Sequence, residues 1–439
     1  MDDEQKKPTK AALRAALSIA EPPEEDPIDL GLERSPPRVV NGSIIPAKPK
    51  PTLRNLDRIL RGDPVFAGSI RWNDMAAQIE WGGKPIEDYR VTELALAIAE
   101  RHEVEFAMSD LHGMVELVAR EHSYHPVREW LEGLTWDGTE RLDGWLTRWL
   151  RVDDSPLTRE YSRRFCIGAI ARVMQPGCKL DTALVLHGVQ SAGKSSFCAA
   201  FAHREDWFSD TKLEWDSKDR FQQIQGVWLY EMGELSGMGK ADTNSVKNFL
   251  SSQVDKFRPS HARHVVRRPR QCAFIGTTND KDCLSDPTGD RRFWVVTTKL
   301  ERMGIDLDMV RAEHEQVWAE AVAAYRAGER WHLSRELDGL RHESNAHYRR
   351  EDPLTEKLAA FAEETAFFTP SDFWEKLDLP LTQLSPAVVS RIGLIMAEID
   401  THDHVQIRRG GARVRGYRRR ERPVTPSGGV TTPPCDRTV

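Results

Sequence analysis

Apolar positions along this chain change their spacing from region to region. The run Thr182–His187, TALVLH, is short, continuously apolar and followed by a glycine; Val227–Tyr230 and Cys272–Thr277 have the same character. Runs of this length without alternation predict strands covered on both faces, as parallel strands are. Helical spacing separates and follows them, over Ser195–Phe201, Thr243–Ser252 and Leu307–Ala327. Strands alternating with helices predict an α/β layer around a parallel sheet. Upstream, Val91–His102 and Leu111–Arg120 carry apolar residues at helical spacing, and 157–179 reads as a helix running into the loop QPGCK. Within 51–150 stand Trp130, Trp136, Trp145 and Trp149. Such rings serve as a stacking surface for bases or as packing between helices. Their large apolar area favours packing.

Downstream, Leu354–Thr365, Ser371–Leu377 and Pro386–Ile399 read as helices. Val405–Arg420, VQIRRGGARVRGYRRR, follows as two short strands around Gly410–Gly411. Three helices and a basic hairpin outline a winged helix. The ends differ again. Residues 1–50 hold eight prolines and no sustained period beyond one short helix around Lys10–Ala20, and the tail reads PVTPSGGVTTPP. Neither end buries a core. The predicted organisation is therefore a disordered segment over 1–50 and a small, mostly helical domain over 51–155. An α/β core over 156–345, a winged-helix-like basic domain over 346–422 and a disordered tail over 423–439 complete it.

Composition narrows this picture. At 439 residues there is room for two or three domains. The formal net charge of −6 means that any nucleic-acid contact comes from local basic patches. Six cysteines stand without a Cys-x-x-Cys pair, which argues against a zinc ribbon or a thioredoxin-type site. The start, MDDEQKKPTK, lacks the pattern of a secretory signal. No run of 18 apolar residues offers a membrane span. These features predict a cytoplasmic protein with free thiols and no membrane partner.

The candidate chemistry centres on Gly188-Val189-Gln190-Ser191-Ala192-Gly193-Lys194-Ser195. It matches G-x-x-x-x-G-K-[ST] between a predicted strand and a predicted helix. Glycines let backbone N–H groups wrap phosphate oxygens, and the helix N-terminus adds partial positive charge. Gly188, Gln190, Ser191, Ala192, Gly193, Lys194, Ser195 and Ser196 are thus the predicted ATP contacts. Lys194 neutralises the β- and γ-phosphates, and the Ser195 hydroxyl completes a Mg²⁺ shell. A second strand must end in a carboxylate, and Val227–Glu231 does, with Glu234 three residues on. Glu231 is assigned to the Mg²⁺ shell and Glu234 to the water-activating base or a supporting place, with the two roles exchangeable. Asn279, after the third strand, is placed to orient the attacking water. Arg291 and Arg292 lie on the following loop, where an arginine finger would reach a neighbouring subunit.

In order along the chain stand Tyr124-His125-Pro126-Val127, Leu134-Thr135-Trp136-Asp137-Gly138 and Pro176-Gly177-Cys178-Lys179. The glycine loop, Tyr230 to Leu235, Thr277-Thr278-Asn279 and Asp286 to Trp294 follow. This ordered set, over residues 56–300, resembles the virulence-associated E family. That family is similar to superfamily 3 helicases and to the helicase halves of phage primase-helicases. The resemblance implies an AAA+-like P-loop core and a homo-oligomeric ring, a hexamer in such families, that moves DNA in a bacterial host cell. Lys194 and Ser195 become Walker A, Glu231 and Glu234 Walker B, and Asn279 the sensor. Arg291, marginally favoured over Arg292, becomes the finger. It also implies a hairpin in the ring channel at Phe257–Arg270, which holds five arginines, two histidines and no acid. Arg258, Arg263, His264 and Arg267 there are the predicted contacts to the DNA backbone. Arg408, Arg409, Arg413 and Arg415 would hold DNA from the winged segment, with Tyr417 as a stacking group. No polymerase-type aspartate set stands upstream, so a primase or another replication partner would be a separate chain.

Two functional classes follow. One is an ATP-dependent DNA helicase or translocase of a phage or mobile element. The other is a nucleotide-controlled DNA-binding, regulatory or defence ATPase that assembles on DNA without processive unwinding. A small-molecule kinase would leave Asn279, the arginine pair and the basic hairpin unexplained.

Overall fold

The computed structural model describes residues 29–40, 43–214, 217, 219–233, 240–259, 264–284, 290–349, 352–409 and 412–420. The chain divides into two compact units, Met1–Asp280 with Thr288–Asn345 and Lys281–Pro287 with Ala346–Val439.

The first unit begins with strands β1 (Arg38–Val40) and β2 (Ser43–Ile45), paired antiparallel. Strands β3 (Ile70–Asn73), β4 (Gln78–Trp81), β5 (Lys84–Pro85) and β6 (Ser123–Tyr124) then make a sheet in the order β5-β4-β3-β6. The helices Leu53–Gly62, Asp88–His102 and Met108–Glu121 share with this sheet a core of Leu56, Ile59, Ile70, Leu94, Ile98, Leu111 and Val115. The sheet adds to the mostly helical reading of this stretch. Its strands are two to four residues long, too short for alternation to register. The β3–β4 turn is set by Asn73, whose Oδ1 accepts from the N–H groups of Met75 and Ala76, both at 3.0 Å. Its Nδ2 donates to buried Glu80 at 2.8 Å.

The centre of the unit is a five-stranded sheet of β7 (Ala183–His187), β8 (Phe208–Ser209), β9 (Leu229–Gly233), β12 (Ala273–Thr278) and β13 (Phe293–Thr297). Its order is β13-β7-β12-β9-β8 and every pairing is parallel. Between β9 and β12 a separate antiparallel hairpin joins β10 (Val254–Phe257) to β11 (Val266–Pro269). The long helix Pro156–Met174 starts on a Ser155 cap with proline at its first position, and Tyr161, Phe165 and the run from Cys166 to Val173 are buried. A helix covered nearly all round is a core element. Trp145, Trp149, Phe197, Phe201 and Trp318 pack with it, with ring centroids 4.9 Å apart for Trp145–Phe201 and 4.6 Å for Phe201–Trp318. These tryptophans are packing groups, whereas Trp136 is exposed and donates its indole N–H to the Thr139 carbonyl.

The second unit holds the helices Pro353–Glu364, Pro370–Lys376 and Pro386–Ile399 and the strands β14 (Phe367–Phe368), β15 (His402–Arg409) and β16 (Ala412–Arg419). Its sheet runs β14-β16-β15, all antiparallel. Each helix starts on a side-chain cap, from Asp352, Thr369 or Ser385, and each has proline in its first turn. Leu358, Phe368, Phe373, Ile392, Ile395 and Tyr417 form the core. Tyr417 is therefore a core ring. Its place opposite His404, on the face of β16 turned toward the helices, removes it from the set of stacking groups. Residues 410 and 411, where the sequence places the hairpin turn, lie outside the described residues. Among the described residues, no helix is long and apolar enough to cross a membrane.

Candidate functional site at the glycine loop

Strand β7 ends at His187, and the chain turns through 188–193 before the helix Lys194–Phe201 begins. Ser191 and Gly193 adopt the left-handed conformation, φ 62° and 97°. This reverses the chain tightly enough for the helix to start directly over the strand end. Gly188 faces the end of β13, where a Cβ would lie 2.1 Å from the Thr298 hydroxyl oxygen. A larger residue would force the Thr298 side chain to turn away and press on its backbone carbonyl, 3.3 Å off. The Met303 N–H donates to the Ser191 carbonyl at 2.8 Å, so the segment after β13 also braces the loop. Gln190, Ser191, Ser195 and Ser196 are exposed, while Ala192 is buried.

Lys194 is 9% exposed, and its ammonium donates to the carbonyls of Gly188 at 2.8 Å and Val189 at 2.9 Å. Burial pulls its pKa down, and the Glu231 carboxylate opposes that pull. The cation thus sits within the curve of the loop.

Glu231 on β9 is 3% exposed. Its Oε1 accepts from the Ser195 hydroxyl at 2.7 Å and the Thr277 hydroxyl at 2.6 Å. Its Oε2 is buried without a hydrogen-bond partner. Burial pushes its pKa up, and the two hydroxyl bonds partly reverse that. A buried carboxylate oxygen left without a partner costs about 1–3 kcal/mol or more unless something occupies its lone pairs. Together with the Ser195 hydroxyl it offers the hard oxygen donors that a Mg²⁺ ion takes. The residues present fit such an ion. Glu234 lies outside the described residues.

Asn279 is exposed immediately after β12. The preceding carbonyl, of Thr278, accepts the Gly188 N–H at 3.1 Å. Lys194, Ser195, Glu231 and Asn279 therefore gather at the carboxyl ends of three adjacent strands, the edge at which open parallel sheets bind ligands.

Arg291 and Arg292 are at the opposite end of the sheet. They precede β13, whose first residue pairs with Ala183, the first of β7. Buried Asp290 accepts from the Arg341 guanidinium at 2.9 Å, and the Asn345 amide donates to the carbonyls of Asp290 and Phe293 at 3.0 and 2.9 Å. This buried latch fixes the turn that presents both arginines. Arg291 is exposed, while Arg292 donates to the Ser251 hydroxyl at 3.1 Å.

On the β10–β11 hairpin, Arg258, His264 and Arg267 are exposed, and Arg263 lies outside the described residues. Arg270, the last arginine of that cluster, is a strut. It pairs with Asp255 with both side chains at most 1% exposed, and it stands 4.3 Å from the Phe249 ring centroid and 5.6 Å from that of Phe274 on β12. In the second unit Arg408, Arg413 and Arg415 are exposed; the Arg409 side chain is not among those described. Arg408 and Arg413 face each other directly across β15 and β16.

In the sequence Thr277 stands out only within the run Thr277-Thr278-Asn279, with no role of its own, and nothing singles out Thr298, the Arg341–Asn345 latch or the Asp255–Arg270 pair. The others are contacts between residues 15 to 110 positions apart.

A parallel sheet with a glycine loop, a buried lysine and a half-satisfied carboxylate at one edge defines a mixed α/β protein with a candidate ligand site at the carboxyl edge of its sheet. The profile of the virulence-associated protein E-like domain matches residues 131–350, and the chain belongs to that family. Among solved structures, the fold is similar to the apo NrS-1 C terminal region (305–718), with TM-score 0.46, 12% identity, 80% of this chain and 95% of that chain covered. The A form of that region gives TM-score 0.45 and 10% identity, with 80% and 96% covered. A point mutant of Thermotoga maritima RuvB gives TM-score 0.23 and 10% identity, with 60% and 93% covered. No curated protein matches the chain in sequence.

Proposed function

We propose that this chain is an ATP-hydrolysing DNA motor, a helicase or translocase that acts as a homo-oligomeric ring, a hexamer, in the replication of a phage or mobile element. The observation that carries this reading is the partnerless Oε2 of Glu231 beside the Ser195 hydroxyl, at the head of the helix opened by Lys194. In this reading the core is AAA+-like. Backbone N–H groups of 188–196 take the phosphates, and Lys194 leaves the carbonyls of Gly188 and Val189 for the β- and γ-oxygens. Ser195 and Glu231 hold Mg²⁺, which supplies positive charge against the phosphates when bound. Asn279 orients the water, and Glu234 takes its proton or supports Glu231.

Arg291 is the finger offered to the neighbouring subunit, because it is exposed while Arg292 is engaged with Ser251. Arg258, Arg263, His264 and Arg267 follow the DNA backbone inside the ring. The second unit is a winged helix whose Arg408, Arg409, Arg413 and Arg415 add further phosphate contacts. Primer synthesis is left to a separate chain.

The test is ATP hydrolysis with and without single-stranded DNA, for the wild type and Lys194→Ala. DNA-stimulated turnover that disappears in the variant is expected. ATP binding without turnover, or turnover indifferent to DNA, would replace the motor with the nucleotide-controlled switch.

A further inference from the structure

On the far side of the nucleotide helix two imidazoles face each other. The His203 Nδ1 is 3.0 Å from the His314 Nε2 and 3.5 Å from the Glu315 Oε1. One donor atom from each of the three residues lies within 4.8 Å of the others. We infer that His203, His314 and Glu315 form a binding site for one divalent transition-metal ion, with Zn²⁺ as the ion whose ligand preferences they meet.

Two imidazoles and one carboxylate are a tetrahedral zinc set with a fourth position for water. Magnesium, which demands six oxygens, is excluded by the same donors. Zn–N distances of about 2.0–2.1 Å place tetrahedral ligand atoms roughly 3.3 Å apart, so the two nitrogens part by a few tenths of an ångström and the rings turn until both lone pairs meet at the ion. Glu315 is half exposed and brings a flexible carboxylate from the solvent side.

The His314 tautomer is already arranged. The His314 Nδ1 stands 3.0 Å from the Arg311 carbonyl. A carbonyl only accepts, so this nitrogen carries the proton and the Nε2 lone pair points at His203. A backbone carbonyl behind a metal-binding histidine is the usual outer support of such a ligand. His203 donates its Nδ1 proton to His314 in the hydrogen-bonded pair; it becomes a ligand by carrying that proton on Nε2 instead, and no net proton is released. Its ring lies on Trp130, with centroids 4.3 Å apart and planes at 19°. Its backbone is held in the left-handed conformation, φ 69°, which a residue with a side chain adopts only when its surroundings hold it there.

The place of the site gives it a role. The helix headed by Lys194 ends at Phe201, two residues before His203. His314 and Glu315 belong to the helix Leu307–Arg326, whose lead-in braces the glycine loop through Met303. An ion here ties the far end of the nucleotide helix to the element that supports its near end.

The experiment uses the full-length chain, stripped with EDTA and titrated with ZnCl₂ by calorimetry, with Co²⁺ absorption as the report of tetrahedral geometry. One Zn²⁺ per chain is expected, with a rise in melting temperature. His203→Ala abolishes both, and Glu315→Gln weakens binding by at least the roughly 10- to 100-fold that loss of an outer-shell partner costs. Glu231→Gln leaves Zn²⁺ binding unchanged, which separates this site from the one at the glycine loop. His314 is buried, so its truncation tests folding as much as binding; Glu315→Gln on the solvent side does not share that problem. Equal uptake by the wild type and both variants, or no uptake and no melting shift, would overturn the inference and leave the pair as a plain N–H···N hydrogen bond.

Discussion

The chain carries two arginine-rich hairpins, and they are built on opposite plans. β10 and β11 have four residues each, and the sheet between them is only two strands wide. Their stability comes from the foot, where buried Asp255 and Arg270 pair against Phe249 and Phe274. β15 and β16 have eight residues each, gain a third strand in β14, and are held by the second unit's core. The first hairpin is thus rooted in the strand that ends beside Asn279. The second is a self-contained surface. In the proposed motor, the former plan suits a hairpin that responds to nucleotide and the latter one that only holds a backbone.

Breaking the root is the most severe test. Asp255→Ala leaves the Arg270 cation buried and unpaired, and such a loss costs about 3–5 kcal/mol. Urea denaturation is expected to show it, together with loss of DNA-stimulated turnover. The double change Asp255→Leu with Arg270→Met should recover most of the stability, since apolar replacement of a buried pair is close to neutral. Stability unchanged in Asp255→Ala would refute the strut.

Arg258→Ala with Arg267→Ala spares the root and removes charge from the exposed part of the hairpin. The ratio of DNA-stimulated to basal turnover should fall about tenfold. The salt slope of single-strand binding should drop by about 1.4, at roughly 0.7 per phosphate contact. An unchanged slope would move the DNA path elsewhere.

Gly177 touches the same root from the loop after Met174. Its φ is +81°, and a Cβ would lie 3.2 Å from the Gln253 carbonyl oxygen and 3.3 Å from the Pro269 Cβ. Gly177→Ala is expected to cost about 1 kcal/mol or somewhat more, read by thermal denaturation. No change there would mean that the loop does not support the hairpin.

The smallest effect has the opposite sign. Arg408 and Arg413 stand directly opposite each other on one face. Like charges in register destabilise a strand pair by about 0.2–1 kcal/mol. Threonine at both positions should stabilise the second unit by that much while lowering DNA affinity in a filter-binding titration. A variant that is more stable and binds DNA equally well would show that these arginines serve something other than DNA.

How much of this the sequence discloses depends on the distance over which each feature is encoded. The glycine loop, its strand and its helix are contiguous, so residues 182–201 read correctly as strand, loop and helix. Glu231 is legible because it ends an apolar run. Arg291 and Arg292 are indistinguishable in sequence, because their difference lies in Ser251, 41 positions from Arg292. The basic cluster of 258–270 reads as a source of DNA contacts at Arg258, Arg263, His264 and Arg267 and gives Arg270 no role. The fold gives it one, because Asp255 and two aromatic rings meet it in the interior. Tyr417 reads as a surface ring among arginines, yet the pleat turns it inward. The short sheet at β3–β6 is invisible in the sequence for want of length.

Strand β13 is also a mechanical part. It starts next to Arg292 and ends against Gly188, through Thr298. Its five residues span about 16 Å at 3.3 Å each. A strand paired along its whole length with β7 neither stretches nor shortens appreciably. In the proposed ring, where Arg291 reaches into the next subunit's pocket, β13 would link that arginine to the mouth of its own loop. Each pocket would then be set partly by the contents of its neighbour.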